Sequence, residues 1–381
     1  MVNTKQIDLN ASAVENFKQY LRIVSEVPNF NYELCVVFLA KLAKDLELLF
    51  NIFRINPNRP SVVLTWLGTT PHLESVMLNC RMDAKELGTP CEDIKTHCAG
   101  IQYLEVIRRL KHKGFKPKRT VHVGFLSGTN NFEQTKVEST KEFTKSSQFK
   151  LLNVGFVIDE GIPSEDDVLT AYCDNKRCWR FAIHCFGTYG DAALPLEDTA
   201  GQKVQFLLNK FYQFRNDQKE AQHKVQGCED FITVNLTMMK GGTHISRIPK
   251  KLTLSFDTRC PLDKFDKFSN LVSTWCSEAG DDVEIENFVK EVGEHYATLK
   301  NTNPFWMALK ASVEKMKIKL KIRTTSNQID SSKFRAVGIP TVSFSPNRKV
   351  PKSTSDESLN IKVFLEGIAV LEEVIAAVVS V

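Results

Sequence analysis

Hydrophobic and polar residues alternate along this chain with the periods of helices and of buried strands. In residues 12–27, Val14, Phe17 and Val24 fall on one helical face, which predicts an amphipathic helix. Further helices are predicted at 32–50 and 99–114, and apolar runs typical of buried strands lie at 61–68, 75–80, 120–127 and 153–161. Strands that alternate with helices in this way predict an α/β fold with a mostly parallel, doubly wound sheet.

The pattern changes near residue 177. Residues 177–292 show the order strand, helix, two strands, helix and strand, which is the order of a ferredoxin-like α+β unit. The α/β pattern then returns, with a helix at 304–318, strands at 319–323 and 338–346, and a final apolar helix. We therefore predict one α/β domain made of residues 1–176 and 293–381, with a smaller domain, residues 177–292, inserted into it.

The composition changes this picture little. A chain of 381 residues is long enough for two cores, because single cores stop growing at roughly 250 to 300 residues. The net charge of +5 is spread along the chain and is too small to predict nucleic-acid binding. No apolar run approaches the ~18 residues of a membrane span, and the N-terminus lacks the apolar core of a signal peptide. We expect a cytoplasmic protein with no nucleic-acid or membrane partner.

The ten cysteines do not form the dense framework of a small disulfide-rich domain. Two groupings bring cysteine and histidine together, Cys91 with His97 and Cys98, and Cys173 with Cys178, His184 and Cys185. Neither has the paired spacing that presents ligands tetrahedrally to a structural zinc ion. We therefore expect scattered, mostly reduced thiols, although a relocated zinc ligand at His97 is an alternative.

Polar residues stand at the end of the strand predicted at 75–80. Asn79, Arg81 and Asp83 follow its apolar run. The carboxyl ends of strands in open α/β sheets are where ligands bind, so a site is predicted here. Arg81 is unusual in such a place, because arginine stays protonated and has no lone pair to offer a metal ion.

Nine strings, together with the two-domain plan, resemble the aminoacylase-1 branch of the M20 family of di-zinc amidohydrolases. They are FKQYLRI (17–23), VVLTWLGTTPHLESVMLN (62–79), IQYLEVIRRLK (101–111), GFVIDEGI (155–162), LEDTA (196–200), VNLTMMKGG (234–242), SFDTRCP (255–261), FRAVGIPTVSFSP (334–346) and VFLEG (363–367). The strings occur in the family's order and cover nearly the whole chain. The resemblance implies a homodimer formed through the inserted lid or dimerisation domain.

The resemblance also implies N-acyl amino acid hydrolysis at two zinc ions. In the family two histidines and three carboxylates hold these ions, and a further glutamate is the general base on the metal-bound water. The family's first motif, His-x-Asp, is here Arg81-Met82-Asp83, which keeps only the aspartate. A gapless alignment puts Lys95 at the position of the bridging aspartate, whereas a shift of two residues would bring Asp93 there. The fourth ligand is retained as Glu160.

The general base and the C-terminal histidine ligand are also replaced. Thr129 and Asn130 align with the family's adjacent glutamates, and a threonine hydroxyl cannot accept a proton as a carboxylate does. Glu133 lies too far along the chain to substitute without a rearranged loop. The family's histidine-containing string near the C-terminus is here Ser353-Thr354-Ser355.

The residues that the resemblance assigns to the substrate are largely lost. Asp191 replaces the histidine that stabilises the oxyanion across the family dimer, and it brings a negative charge to that position. Ser246 replaces an asparagine, and Ser332 aligns with the arginine that holds the substrate carboxylate. Arg259 is retained, and we assign it as a substrate-binding residue.

Two interpretations remain for the vestigial ligand positions Asp83 and Glu160. Either they form a half-site for one metal ion, or the Arg81 guanidinium pairs with both carboxylates, which we favour because a guanidinium binds carboxylates bidentately. We therefore predict a pseudoenzyme without catalytic residues or a zinc cofactor, which binds an N-acyl amino acid-like ligand or a paralogous aminoacylase. The alternative is a weakly active hydrolase with a metal site rebuilt from Asp83, Asp93 and Glu160.

Other reactive side chains offer no complete site in the sequence. We expect His122 to pack within a strand, and no carboxylate pattern surrounds His184 or His244. Cys80 stands beside Arg81, whose charge would lower the pKa of the thiol, but no histidine base is paired with it.

Overall fold

The computed structural model describes residues 8–24, 31–82, 98–127, 139–224, 231–290, 297, 299–325, 330–350 and 360–381. These residues form two compact units. The first lies within Met1–Asp174, His295–Arg323 and Ile329–Val381, and the second within Asn175–Glu294 and Thr324–Gln328.

The described part of the chain contains fourteen strands and ten helices. The strands are β1 (Leu49–Asn56), β2 (Arg59–Trp66), β3 (Ser75–Arg81), β4 (Val121–Leu126), β5 (Val154–Glu160), β6 (Leu169–Asn175), β7 (Arg177–Phe186), β8 (Gly190–Asp191), β9 (Thr233–Gly241), β10 (Arg247–Ile248), β11 (Lys251–Cys260), β12 (Val283–Lys290), β13 (Leu320–Thr325) and β14 (Thr341–Ser345). The helices are α1 (Leu9–Val24), α2 (Tyr32–Asp45), α3 (Cys98–His112), α4 (Ser139–Lys145), α5 (Ser147–Leu151), α6 (Ala200–Lys224), α7 (Leu262–Glu278), α8 (Pro304–Lys315), α9 (Ser331–Ala336) and α10 (Ile361–Val378).

An eight-stranded mixed sheet, in the order β1-β2-β4-β3-β5-β14-β6-β13, forms the first unit. Its centre is parallel, since β3 pairs in parallel with β4 and β5, and β14 with β5. The pairs β1–β2, β2–β4 and β14–β6 are antiparallel. The predicted α/β class is confirmed, with antiparallel strands added outside the parallel centre.

Both faces of this sheet are covered, because successive side chains of a strand point to opposite faces. On β3, Val76 and Leu78 join the larger core, to which α1, α2, α3, α8 and α10 contribute. Met77 points the other way, into a smaller core with Phe143 and Phe334 of α4 and α9. The apolar run that predicted a buried strand is thus explained by burial on both sides.

The first unit departs from the predicted elements at one edge of the sheet. A single helix was predicted over 32–50, but α2 ends at Asp45 and β1 begins at Leu49. Glu47 adopts the left-handed backbone conformation, with φ of 51°, which ends the helix. Most side chains of β1 are exposed or half-buried, so its hydrophobic pattern is weak. Strand β6 and the short helices α4 and α5 were likewise not predicted.

The second unit contains a four-stranded antiparallel sheet in the order β12-β7-β11-β9, with α6 and α7 completing the predicted ferredoxin-like order of elements. Aromatic rings fill its core, and Phe211 stacks on Phe256 with ring centroids 4.1 Å apart. Strands β8 and β10 form a separate two-stranded sheet. Among the described helices of either unit, none is long and apolar enough to cross a membrane.

A buried amide network joins helices α3 and α10 in the first unit. The Gln102 side-chain amide donates to Asn347 Oδ1 and to the Phe364 carbonyl, both at 3.0 Å. Gly367 of α10 faces this network, because a Cβ atom placed there would lie 2.3 Å from Gln102 Nε2 and 2.4 Å from Asn347 Oδ1. The approach of α10 to the network thus depends on the absence of a side chain at Gly367.

We predict that Gly367→Ala destabilises the protein by about 1–3 kcal/mol, since the methyl group displaces buried hydrogen-bonding groups. The control is Gly201→Ala in α6, where the nearest atom to an added Cβ is Thr199 Oγ1 at 3.8 Å. Alanine favours helix, so this control is expected to be neutral or stabilising. Urea unfolding compares the two variants, and equal effects would contradict the packing argument.

His122 is buried in β4 and hydrogen-bonded on both ring nitrogens. Its Nε2 lies 3.0 Å from the Leu152 carbonyl oxygen and its Nδ1 lies 2.8 Å from Thr65 Oγ1. Because a carbonyl only accepts, Nε2 carries the proton and Nδ1 accepts from the threonine hydroxyl. Burial lowers the pKa of His122 from 6.5 to about 4, against the hydrogen bond to Leu152, which raises it. The folded state therefore holds this ring neutral.

We predict a pH-dependent stability contribution from His122. The folded pKa lies below the unfolded value, so the contribution is complete above pH 6.5 and is lost as the pH falls from 6.5 towards 4. The loss approaches ~3 kcal/mol at the acidic end of this window. Urea unfolding of the wild type and of His122→Asn, at pH values between 7.5 and 4.5, gives the difference between their free energies of unfolding. The change in this difference with pH measures the contribution. A difference independent of pH would contradict the prediction.

Candidate functional site

The carboxyl ends of β3 and β5 lie side by side in the centre of the large sheet. Asn79 and Asp159 are partners in the parallel register, and each strand continues by one or two residues, to Arg81 and to Glu160. The Arg81 backbone N–H donates to Glu160 Oε2 at 3.2 Å. The structure thus brings together two of the residues that the sequence singled out, at the edge of the sheet where the site was predicted.

Glu160 is partly buried, and its surroundings disfavour the ionised form of its carboxyl group. Burial, followed by the charge of Asp159, raises the pKa of Glu160 well above its usual value, while the charge and the backbone N–H of Arg81 lower it. Arg81 is therefore electrostatically coupled to the retained ligand position. The predicted bidentate pairing of its guanidinium with Glu160 stays a prediction, and Asp83 lies outside the described residues.

Asp159 is a buried carboxylate that the sequence reasoning missed. Its Oδ1 accepts from Asn79 Nδ2 at 2.7 Å and its Oδ2 accepts from the Ser331 N–H at 2.8 Å. Burial and then the charge of Asp330 raise the pKa of Asp159 to about 7. The available signal was its position next to Glu160 in the string IDEG.

Asp330 completes a group of three carboxylates at this place. Its charge raises the pKa of both Asp159 and Glu160, which shows that all three side chains lie within electrostatic range. Asp330 precedes α9 at the N-cap position, but its side chain makes no capping hydrogen bond. The sequence signal was its place two residues before Ser332, the position aligned with the family's carboxylate-binding arginine.

Tyr103, Cys80 and Cys98 are buried near these carboxylates. Burial, then the charge of Cys80, raises the pKa of Tyr103 well above 10. Burial, then the charge of Glu160, raises the pKa of the Cys80 thiol well above 9, and burial raises that of Cys98 to about 12. Cys80 is accordingly held as a thiol, which removes the activated thiolate considered from its place beside Arg81.

The described donors do not fit a zinc ion of the family's kind. Of the family's ligand and base positions, only Glu160 and the replaced position Arg81 are described, while Asp83, Asp93 or Lys95, Thr129, Asn130 and Ser353 to Ser355 lie outside. A fixed cation beside Glu160 would repel a zinc ion there. Within the described ranges, no three side chains among His, Cys, Asp and Glu are arranged to hold a metal ion. The eight cysteines in these ranges are free thiols.

Arg259, the predicted substrate-binding residue, lies on β11 of the second unit. Its Nη2 donates to Asp257 Oδ2 at 3.1 Å, and the same oxygen accepts from Arg180 Nε at 2.7 Å. Two guanidinium groups thus share one carboxylate oxygen. Such a pair suits a carboxylate ligand, although its role in substrate binding stays a prediction.

Asp191 and Ser246, which replace family residues, belong to the small sheet β8–β10. Asp191 lies opposite Arg247 in the register and accepts from the Ala193 N–H at 3.0 Å. The Ser246 hydroxyl lies 2.7 Å from His244 Nδ1. All these side chains are exposed.

The expectation that no carboxylate accompanies His184 was wrong. His184 Nε2 lies 2.9 Å from Glu286 Oε2, and Nδ1 lies 3.0 Å from Thr253 Oγ1. The three residues lie on β7, β12 and β11, and antiparallel pairing brings them together across positions far apart in the sequence. The Glu286 side chain is 55% exposed, as in a surface cross-strand pair.

Solved structures of similar fold support the architecture. Aminopeptidase PepT from Bacillus cereus matches with a TM-score of 0.71 at 15% identity, covering 97% of this chain and 98% of that one. A tripeptidase from Staphylococcus aureus matches with a TM-score of 0.68 at 15% identity, with the same coverage. At this identity the likeness shows the fold.

Similar sequences identify the family more specifically than the likeness in fold does. Human aminoacylase-1 is 31% identical over 393 residues, which cover 97% of this chain and 96% of the relative. Aminoacylase-1 from Sus scrofa is 30% identical over 394 residues with the same coverage. Residues 93–377 match the profile of Peptidase family M20/M25/M40. The resemblance drawn from the nine strings is thus confirmed, and the chain belongs to Peptidase family M20/M25/M40 as an aminoacylase-1-like member.

Proposed function

We propose that this aminoacylase-1-like chain is a non-catalytic binding protein. The observation that carries the proposal is the fixed positive charge of Arg81 beside Glu160. Arg81 stands at the position of a family zinc ligand, its N–H donates to Glu160 Oε2, and its charge acts on that carboxylate. A guanidinium has no lone pair for a metal ion. A positively charged side chain therefore stands at a position where the family has a zinc ligand.

The family resemblance supports the loss of chemistry at positions other than Arg81 as well. Thr129 and Asn130 align with the family's base and its adjacent ligand. Neither a hydroxyl nor an amide accepts a proton near neutral pH, so water would lack a base. Asp191 replaces the family's oxyanion-stabilising histidine, and a carboxylate there would repel the developing negative charge.

The binding role that we propose uses what the chain retains. Arg259, with Arg180 on the same Asp257 oxygen, suits the carboxylate of a small N-acyl amino acid-like ligand. We further propose a cytoplasmic homodimer through the smaller unit, as the family resemblance implies. A paralogous aminoacylase is the second partner to test, by co-purification.

The first test is hydrolysis. Purified protein supplied with Zn²⁺ and N-acetyl-L-methionine is expected to release no methionine above the blank, with human aminoacylase-1 as the positive control. Elemental analysis is expected to find far less zinc than the two ions per chain implied by the family chemistry. Methionine release that is lost in Glu160→Gln would establish the alternative, a hydrolase with a rebuilt metal site.

The second test measures the coupling between Arg81 and Glu160. Arg81→Gln is expected to destabilise the fold by about 1–3 kcal/mol, because it leaves a partly buried carboxylate without its nearby cation. Adding Glu160→Gln should recover part of this loss, with a coupling free energy of at least ~1 kcal/mol in urea unfolding.

The matched control is the surface pair of Arg54 and Glu33, whose side chains are 45% and 60% exposed and whose Nη1 and Oε1 atoms lie 2.7 Å apart. Its double-mutant cycle is expected to give a smaller coupling, because exposed ion pairs are screened by solvent. A coupling for Arg81 and Glu160 no larger than that of the surface pair would contradict the proposed ion pair.

A further inference from the structure

Buried polar atoms without hydrogen-bond partners lie around Asp159 in the first unit. Asn79 and Ser331 each donate one N–H to Asp159, and both residues are 0% exposed. The Ser343 hydroxyl also donates to Asp159 Oδ2, at 3.4 Å. Asn79 Oδ1, Ser331 Oγ and Asp330 Oδ2 are buried, and none of them has a hydrogen-bond partner in the part of the chain that the structure describes. Three oxygen atoms on two chain segments, β3 and the start of α9, thus remain unsatisfied around Asp159.

A purely structural role does not account for these atoms. An oxygen buried without a donor costs about 1–3 kcal/mol, so native structures keep few of them. An aspartate at an N-cap position normally accepts a hydrogen bond from a backbone N–H of the first helical turn. The Asp330 side chain makes no such bond. The Ser331 N–H that would begin that turn donates instead to Asp159.

The charge around these atoms is also specific. Asp159, Glu160 and Asp330 are three carboxylates within electrostatic range, and the cations that act on them are Arg81 and Arg335. Arg335 is fully buried, and its Nε and Nη2 donate to the Thr341 carbonyl. The place therefore has three negative groups against two positive groups.

A protonated primary amine has the complementary chemistry. An ammonium group supplies a positive charge and three donors, and it has no acceptor. Acylation removes both the charge and two of the donors, so an N-acyl compound does not match.

We propose that Asn79, Asp159, Glu160, Asp330 and Ser331, which we call the acceptor cluster, bind the ammonium group of a small primary amine. This inference rests on the proposed non-catalytic function, since a zinc ion at Glu160 would replace the ammonium group. The ligand preference of this cluster is then the reverse of an N-acyl amino acid hydrolase: the free amine binds and its N-acylated form does not.

Isothermal titration of the full chain with two probes of one carbon skeleton tests the charge requirement. Isoamylamine is protonated at pH 7, and N-acetylisoamylamine is neutral. Isoamylamine is expected to bind saturably and at least ~10-fold more tightly than its acetylated form, which one charge-assisted hydrogen bond can supply. Equal affinity for the two probes, or no binding of isoamylamine, would overturn the proposal.

Variants locate the binding. Asp330→Asn removes a carboxylate that makes no side-chain capping hydrogen bond. Glu160→Gln removes another carboxylate of the acceptor cluster. Each is expected to weaken isoamylamine binding at least ~10-fold while urea unfolding shows a folded protein. The control is Asp45→Asn at the exposed end of α2, which makes the same charge change elsewhere and should leave affinity within twofold.

The outcomes separate this inference from the proposed function. Equal weakening by Asp45→Asn and Asp330→Asn would overturn the cluster as the site, because net charge alone would then explain the binding. Hydrolysis of N-acetyl-L-methionine in the separate assay would overturn the proposed function. Absent hydrolysis together with absent amine binding would overturn only the acceptor cluster.

Discussion

The parallel register of β3 against β5 is the constraint on which the candidate site depends. It places Asn79 beside Asp159, and their side chains form a buried hydrogen bond of 2.7 Å. An unpaired amide or carboxylate in such an environment would be costly. Beyond this pair the two strands end together, so Arg81 and Glu160 necessarily meet at the edge of the sheet. A shift of one residue would turn every one of these side chains to the opposite face.

That register brings several carboxylates close together, and two kinds of interaction offset their negative charge. Some carboxylate oxygens receive N–H groups, from Asn79, Arg81 and Ser331, and two arginines, Arg81 and Arg335, act on the cluster through their charges. The pKa of Asp159 still rises to about 7, chiefly because of burial. Asn79 Oδ1, Ser331 Oγ and Asp330 Oδ2 are buried there without a hydrogen-bond partner among the described residues, and these unsatisfied oxygens are the physical reason for assigning a cationic ligand.

Much of this arrangement could be predicted from the sequence where the signal is local. The apolar runs of β3, β4 and β5 predict buried strands, and the motif around Arg81 predicts a site at their ends. Strand β1 was missed because its exposed pattern resembles the end of a helix. Asp330 and the pair of His184 with Glu286 were missed for another reason, since each acts on a partner distant along the chain, and no local pattern encodes such contacts.

The substitutions at the family's metal and base positions also form a consistent set in their charges. In the gapless alignment, a histidine becomes Arg81 and an aspartate becomes Lys95, while two glutamates become Thr129 and Asn130. In formal charge, the two positive charges gained equal the two negative charges of the ligand positions kept, Asp83 and Glu160, and the carboxylates of Asp159 and Asp330 are additional. Buried charge is tolerated only when compensated, so loss of a single ligand would have left the remaining carboxylates unpaired once zinc was absent. If the chain is non-catalytic, as we propose, the coordinated exchange of ligands for cations and neutral groups is what would keep such a strand edge stable without zinc.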